Sequence, residues 1–199
     1  MGAFTRHRRS GRVIATFAVI EADLLRSLAS QLVELLRHEA AVPDDDRDPF
    51  EALMDFSGPT TAPEDPVLAR LFPTAYSDDE EAASEFRRFT EGTLRDGKAR
   101  GAGQVIDDLE EAGLPDELTE SHVDEGLMID VELDEPAALT WLKSLTDIRL
   151  ALATRLGIDD EEDQLRLASL PDDDPQGQAY GIFDWVGYVQ ETLVGALDS

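Results

Sequence analysis

Apolar residues fall at steps of three and four through Glu21–His38, where Leu25, Leu28, Leu32 and Leu35/Leu36 make one stripe. That period predicts an amphipathic helix with a single buried face. Glu21 and Asp23 at its start and Arg37 and His38 at its end suit the helix dipole. A different period governs Leu127–Leu133, where Leu127, Ile129, Val131 and Leu133 alternate with Met128, Asp130 and Glu132. Alternation of this kind predicts a strand with one buried face. Phe4–Arg8 and Arg12–Phe17 flank Arg9-Ser10-Gly11, which predicts a β-hairpin over residues 3–17 with Gly11 taking the positive φ of the turn.

The longest apolar pattern follows the strand. Asp134 is placed to cap a helix, Pro136 is tolerated in its first turn, and Gly157 is placed to end it. Trp141, Leu145, Ile148 and Leu152 form one stripe of this central helix, 134–157. Leu139, Leu142, Leu150 and Leu156 spread apolar character round its circumference. A helix apolar on so many sides is central to the fold or shared with a second subunit. The last helix, 180–197, carries Ile182, Trp185, Val186, Val189, Leu193 and Leu197 on one side, and Asp159–Leu170 is a short acidic helix before it.

Between the first helix and the strand the pattern is weaker. Residues 39–76 form an irregular, proline-rich belt with short helices over Pro49–Phe56 and near Asp65–Phe72. A helical stretch, 77–111, then opens on Ser77, which makes a capping box with Glu80. In it Phe86, Phe89 and Leu94 are expected to make the apolar contacts, with Arg87, Arg88, Arg95, Lys98 and Arg100 pointing outward. Gly97, Gly101 and Gly103 are expected to break it before helix resumes at Gln104–Glu111. Together the elements predict a single domain over residues 1–199, α+β and predominantly α-helical. Its small antiparallel sheet, the hairpin plus the strand near 127–133, packs on the first, central and last helices.

Charge then narrows the function. The 199 residues hold 44 acidic and 17 basic side chains, a net −27. Such a surface repels nucleic acid and anionic lipid and favours basic partners. Lysine occurs only as Lys98 and Lys143, a skew toward arginine that matches a GC-rich genome; salt adaptation and simple solubility are further readings of the acidity. There is no cysteine, which removes disulfides, zinc thiolates and a thiol nucleophile. No apolar run approaches the ~20 residues of a membrane span, and no signal-peptide core follows the early arginines. A cytoplasmic location is expected.

Catalytic motifs are missing. His7, His38 and His122 stand apart from any serine nucleophile pattern and read as surface histidines. The acidic runs Asp44–Asp48 and Asp159–Asp163 lack the order of a calcium loop, and no zinc motif occurs. Gly97-Lys98-Ala99-Arg100-Gly101-Ala102-Gly103 is rich in glycine and base, yet it follows a helix instead of a strand and reads as a helix break, not a phosphate loop. No catalytic, cofactor-binding or metal-binding residue is assigned. Two basic clusters remain. Arg6, Arg8, Arg9 and Arg12 either touch a partner or pair with the chain's own carboxylates, and Arg87–Arg100 is the one basic helical surface.

The order of hairpin, Glu21-Ala22-Asp23-Leu24-Leu25, Glu85-Phe86-Arg87-Arg88, Trp141-Leu142, Asp147–Leu152, Arg155–Ile158 and Trp185 with Val189–Val194 resembles the actinobacterial AosR-like family, long classed only as a domain of unknown function. The likeness covers nearly the whole chain and is strongest over Trp141–Ile158. It implies an oxidative-stress regulator of transcription, dimeric and acting through protein contacts. The family's redox reading rests on a cysteine pair; this chain has none, and Met54 and Met128 are poor substitutes. The expectation is a non-enzymatic regulator. It would be a homodimer through Trp141, Leu145, Ile148 and Leu152, unless that stripe is monomer core. Arg6, Arg8, Arg9, Arg87 and Arg88 would meet a partner, and the acidic surface would engage a basic patch of the transcription machinery. The rivals are an enzyme using carboxylates without a motif, and a DNA-binding regulator using Arg6–Arg12 or Arg87–Arg100.

Overall fold

A computed structural model describes residues 2–38, 59–171 and 173–199. The expected helix over Pro49–Phe56, the Asp44–Asp48 run and Met54 lie outside them. The hairpin forms between β1 (Thr5–Arg6) and β2 (Val13–Ala18), with β1 reduced to two residues. Gly11 has φ 70° in the turn. His7 N donates to Arg12 O at 2.8 Å and Gly11 N to His7 O at 2.9 Å, closing the loop. β3 (Met128–Leu133) adds to the other edge of β2, giving an antiparallel sheet of order β1-β2-β3. Its register pairs Val13 with Leu133 and Ala18 with Met128. Val13, Ala15 and Phe17 of β2 and Ile129, Val131 and Leu133 of β3 are all buried, so both alternations point to one core.

β2 runs straight into α1 (Val19–His38), whose Leu25, Ala29, Leu32 and Leu36 are buried. α2 (Pro66–Leu71) is capped by Asp65, whose carboxylate accepts from Val67 N at 2.7 Å and Leu68 N at 3.1 Å. α3 (Glu80–Glu111) is one unbroken helix of 32 residues. Two expectations are corrected there. Asp79, not Ser77, supplies the cap, accepting from Ala82 N at 3.0 Å. Gly97, Gly101 and Gly103 do not break the helix. Ala99, Ala102 and Val105 between and beyond them are buried, and packing of that kind outweighs the roughly 1 kcal/mol per glycine of lost propensity.

α4 (Glu120–Asp124) precedes β3, and His122 belongs to it instead of to a loop; Thr119 N donates to His122 Nδ1 at 3.3 Å. α5 (Glu135–Leu156) begins on Asp134, which accepts from Ala137 N at 2.9 Å, and ends on Gly157 in the left-handed conformation, φ 66°. α6 (Glu161–Ala168) and α7 (Pro175–Leu197) complete the chain; α7 starts five residues earlier than its apolar pattern predicts, capped by Asp174. α5 lies against α2, α3 and α7, and α1 lies against α3.

The centre is aromatic. Phe4 meets Phe17 edge-on at 5.7 Å and Trp141 edge-on at 5.7 Å, while Phe17 and Trp141 stack at 6.4 Å. Trp141 Nε1 donates to Asp108 Oδ2 at 2.7 Å, which ties α5 to α3 and satisfies the indole. Among the described residues no helix is long and apolar enough to cross a membrane.

Candidate protein-interaction surface

The sidedness of α3 reverses what its sequence predicts. Its inward row is Arg87, Glu91, Arg95, Ala99, Ala102, Val105 and Leu109. Phe86 is 44% exposed, Phe89 67% and Leu94 49%, although these three were the expected apolar contacts. Arg87 and Arg95, expected to point outward, are each 7% exposed, and Glu91 between them only 2%.

The buried row has a reason that lies elsewhere in the fold. Glu91 bridges the two arginines: Oε2 accepts from Arg87 Nη1, and Oε1 from Arg95 Nε at 2.9 Å and Nη2 at 2.7 Å. Arg87 Nη2 then donates to Phe72 O at 3.2 Å, and Arg95 Nη1 to Leu36 O at 3.5 Å. Phe72 is the C-cap of α2, and Leu36 lies in the last turn of α1. Helix C-termini leave carbonyls without intrahelical partners and carry partial negative charge. The two guanidiniums supply the missing donors and the favourable sign. Arg95 also stacks on the Phe72 ring, 4.8 Å from its centroid.

With that row inward, the opposite face of α3 carries the aromatics to the surface. Tyr76, 48% exposed on the segment before α3, meets Phe86 edge-on at 5.9 Å. Arg88 lies over Phe89 at 5.4 Å. Sequence reading did not single out Tyr76. It stands ten residues from Phe86, outside the helical period, and only the fold brings the rings together. Asp78, Asp79, Glu80, Glu81 and Glu85 beside this strip are exposed. An apolar strip rimmed by charge is the common form of a protein-binding surface.

The other sequence candidates are placed as follows. Trp141, Leu145 and Ile148 are fully or almost fully buried inside the single chain, so three of the four proposed interface residues have no surface to offer a second copy. Leu152 alone keeps some exposure. Their stripe is used up against the sheet and neighbouring helices. Arg6 holds the chain's other end, donating from Nη1 to Leu197 O at 3.1 Å and Ser199 O at 3.3 Å. Arg12 Nε stands 3.6 Å from Glu132. Arg8 and Arg9 are exposed, as is Arg88. Arg87 is committed to Glu91 and Phe72 and is withdrawn from any partner. The Arg87–Arg100 row is therefore not one basic surface but two faces.

Two carboxylates, Asp147 buried and Asp108 half-buried, are shifted upward. Asp147 is raised by burial, opposed by the hydrogen bond and charge of Lys98, whose Nζ is 2.6 Å away. Asp108 is raised by burial, opposed by the bond from Trp141, with Glu111, Asp107 and Asp134 adding to the rise. Each already has a structural partner. Among the described residues no group of three or more His, Asp or Glu could hold a metal ion.

The family described as a domain of unknown function, DUF2017, matches residues 1–197. Proteins named oxidative stress regulator AosR from Mycobacterium tuberculosis and Mycobacterium bovis are each 29% identical over 207 residues, spanning 94% of this chain and 83% of the relative. No solved structure matches the chain.

Proposed function

The chain belongs to the DUF2017 family, and we propose that it is a regulator of the oxidative-stress type that acts by binding another polypeptide on the Phe86–Phe89 face of α3. The mycobacterial relatives named as oxidative stress regulators support the regulatory part. The observation that supports the contact is the inverted helix: Phe86 and Phe89 stand in solvent while Arg87, Glu91 and Arg95 are buried beneath them.

The chemistry of the partner follows from the rim. Five carboxylates beside the aromatic strip, on a chain of net −27, favour a partner segment that is basic and carries apolar side chains. A second copy would bring two acidic rims together, and the Trp141 stripe is not free to hold them. Aromatic anchors with one edge already packed, as Phe86 is on Tyr76, lose little freedom on binding. The proposed partner is a component of the transcription machinery. With no cysteine in the chain, the signal reaches it by a route other than thiol oxidation.

A pull-down from the organism's own extract tests this with wild type and with the double variant Phe86→Asp, Phe89→Asp. The wild type should retain a transcription component at low salt and less of it at high salt. The double variant should lose it while keeping the wild-type helical circular dichroism and melting profile. Equal capture by both proteins, or capture of no transcription component, rejects the proposal.

A further inference from the structure

Both lysines of this lysine-poor chain line the same groove. It lies between α3 and α5 and holds about 580 Å³, within the roughly 300–1,000 Å³ usual for small-molecule sites. Lys98 and Arg100 enter it from α3 and Lys143 from α5. Its one lining carboxylate, Asp147, is buried and bonded to Lys98 Nζ at 2.6 Å. That pair neutralises itself. Arg100 and Lys143 remain, both exposed, and among the described residues neither has a carboxylate partner; Arg100 Nε donates only to Asp96 O at 3.3 Å. The lining thus carries a local charge of +2 on a protein of −27.

α3 and α5 approach closely at a glycine that lines the groove. A Cβ on Gly101 would stand 3.1 Å from Ser144 Oγ, tighter than ordinary packing. Gly97, one turn earlier, has open space above it. The glycine-rich stretch 97–103 is helix, and it supplies the floor of the groove together with two of its cations. Leu94 is the one large apolar side chain of the lining; beside Gly97 and Gly101 the other lining residues carry a hydroxyl, an amide or a charge at the end of an aliphatic stem.

We propose that this groove binds a small phosphate-bearing molecule, with Arg100 and Lys143 contacting the phosphate oxygens and the amide of Gln104 nearby as a further donor. A guanidinium fork and an ammonium point charge on facing helices suit an anion with several oxygens and two charges. The general acidity does not forbid it. At physiological ionic strength the Debye length is ~8 Å, so carboxylates farther off than this are largely screened while groups in the groove act at contact. The site is separate from the aromatic strip, and it holds or fails independently of the partner reading.

The test uses the full chain, 15N-labelled, titrated with inorganic phosphate and with pyrophosphate at constant ionic strength. Saturable amide shifts centred on Gly97, Gly101 and Lys143 are expected, with pyrophosphate binding more tightly. The variant Arg100→Gln, Lys143→Gln removes two exposed, unpaired cations. It should keep the native spectrum and bind pyrophosphate about tenfold or more weakly. Arg8→Gln, Arg9→Gln should bind as wild type does. Absence of saturation at millimolar pyrophosphate, shifts centred on Arg8 and Arg9, or unchanged affinity in the Arg100, Lys143 variant would each overturn the proposal.

Discussion

Replacing Glu91 by alanine should damage this protein far more than replacing Phe89 by alanine, though both sit on one helix and Phe89 is the larger and more apolar residue. Glu91 is 2% exposed and accepts three hydrogen bonds from two guanidiniums that are themselves 7% exposed. Its loss removes the carboxylate that the two buried cations share. Breaking a buried ion pair by removing one partner costs ~3–5 kcal/mol. The arginines keep the Phe72 and Leu36 carbonyls and Arg95 keeps the Phe72 ring, which favours the lower end, about 3 kcal/mol. For a chain of this size that is a fall in Tm of about 6–12 °C. Phe89 is 67% exposed, and its truncation should stay within about 0.5 kcal/mol. Urea unfolding followed by helical circular dichroism measures both. Glu91→Gln, which keeps an acceptor but not the charge, should fall between them. If Phe89→Ala costs as much as Glu91→Ala, the triad does not hold the fold, and the inverted sidedness of α3 loses its explanation.

Two further outcomes follow from burial. Leu145→Asp places a carboxylate where no surface exists and should abolish cooperative folding; a folded monomer derived from a wild-type dimer in light scattering would contradict that. Asp108 and Asp147 have pKa values raised by burial, so between the ordinary carboxylate pKa and their raised values the folded chain binds more protons than the unfolded one. Their contribution to stability therefore falls as pH rises through that window, and the urea midpoint should increase as pH is lowered from neutrality toward the ordinary carboxylate range, where the self-repulsion of a −27 chain also relaxes. Asp163 is lowered, chiefly by the backbone bond from Asp159, so its contribution is lost only in stronger acid. The double variant Asp108→Asn, Asp147→Asn should show a smaller gain, and a midpoint that drops over that acidification would contradict the assignment.

Caps and turns are short-range chemistry, and the Asp134–Pro136–Gly157 frame of α5 and the turn at Gly11 are where their residues place them. The strand alternation of 127–133 is local too, and its buried face is the expected one. Ser77 carries the sequence signature of a cap, but the helix begins two residues later, where the Asp79 carboxylate accepts from Ala82 N. The candidate surface was less legible. The helical period groups Phe86 with Phe89 but assigns them and Arg87 to the wrong sides, and it carries no signal for Tyr76. The groove shows in the sequence only as the glycines and bases of 97–103, a composition that predicts a helix break.

Residue spacing by itself placed the first and central helices and the strand at 127–133, and the composition shows that the chain has no thiol. Which face of α3 turns inward was settled by the fold alone. The carbonyls that draw Arg87 and Arg95 inside belong to Phe72 and Leu36, 15 and 59 residues away, and a helix has no means of registering them until α1 and α2 end beside it. Periodicity reports how side chains are grouped round an axis; only the neighbours' unmet hydrogen bonds decide which group is covered.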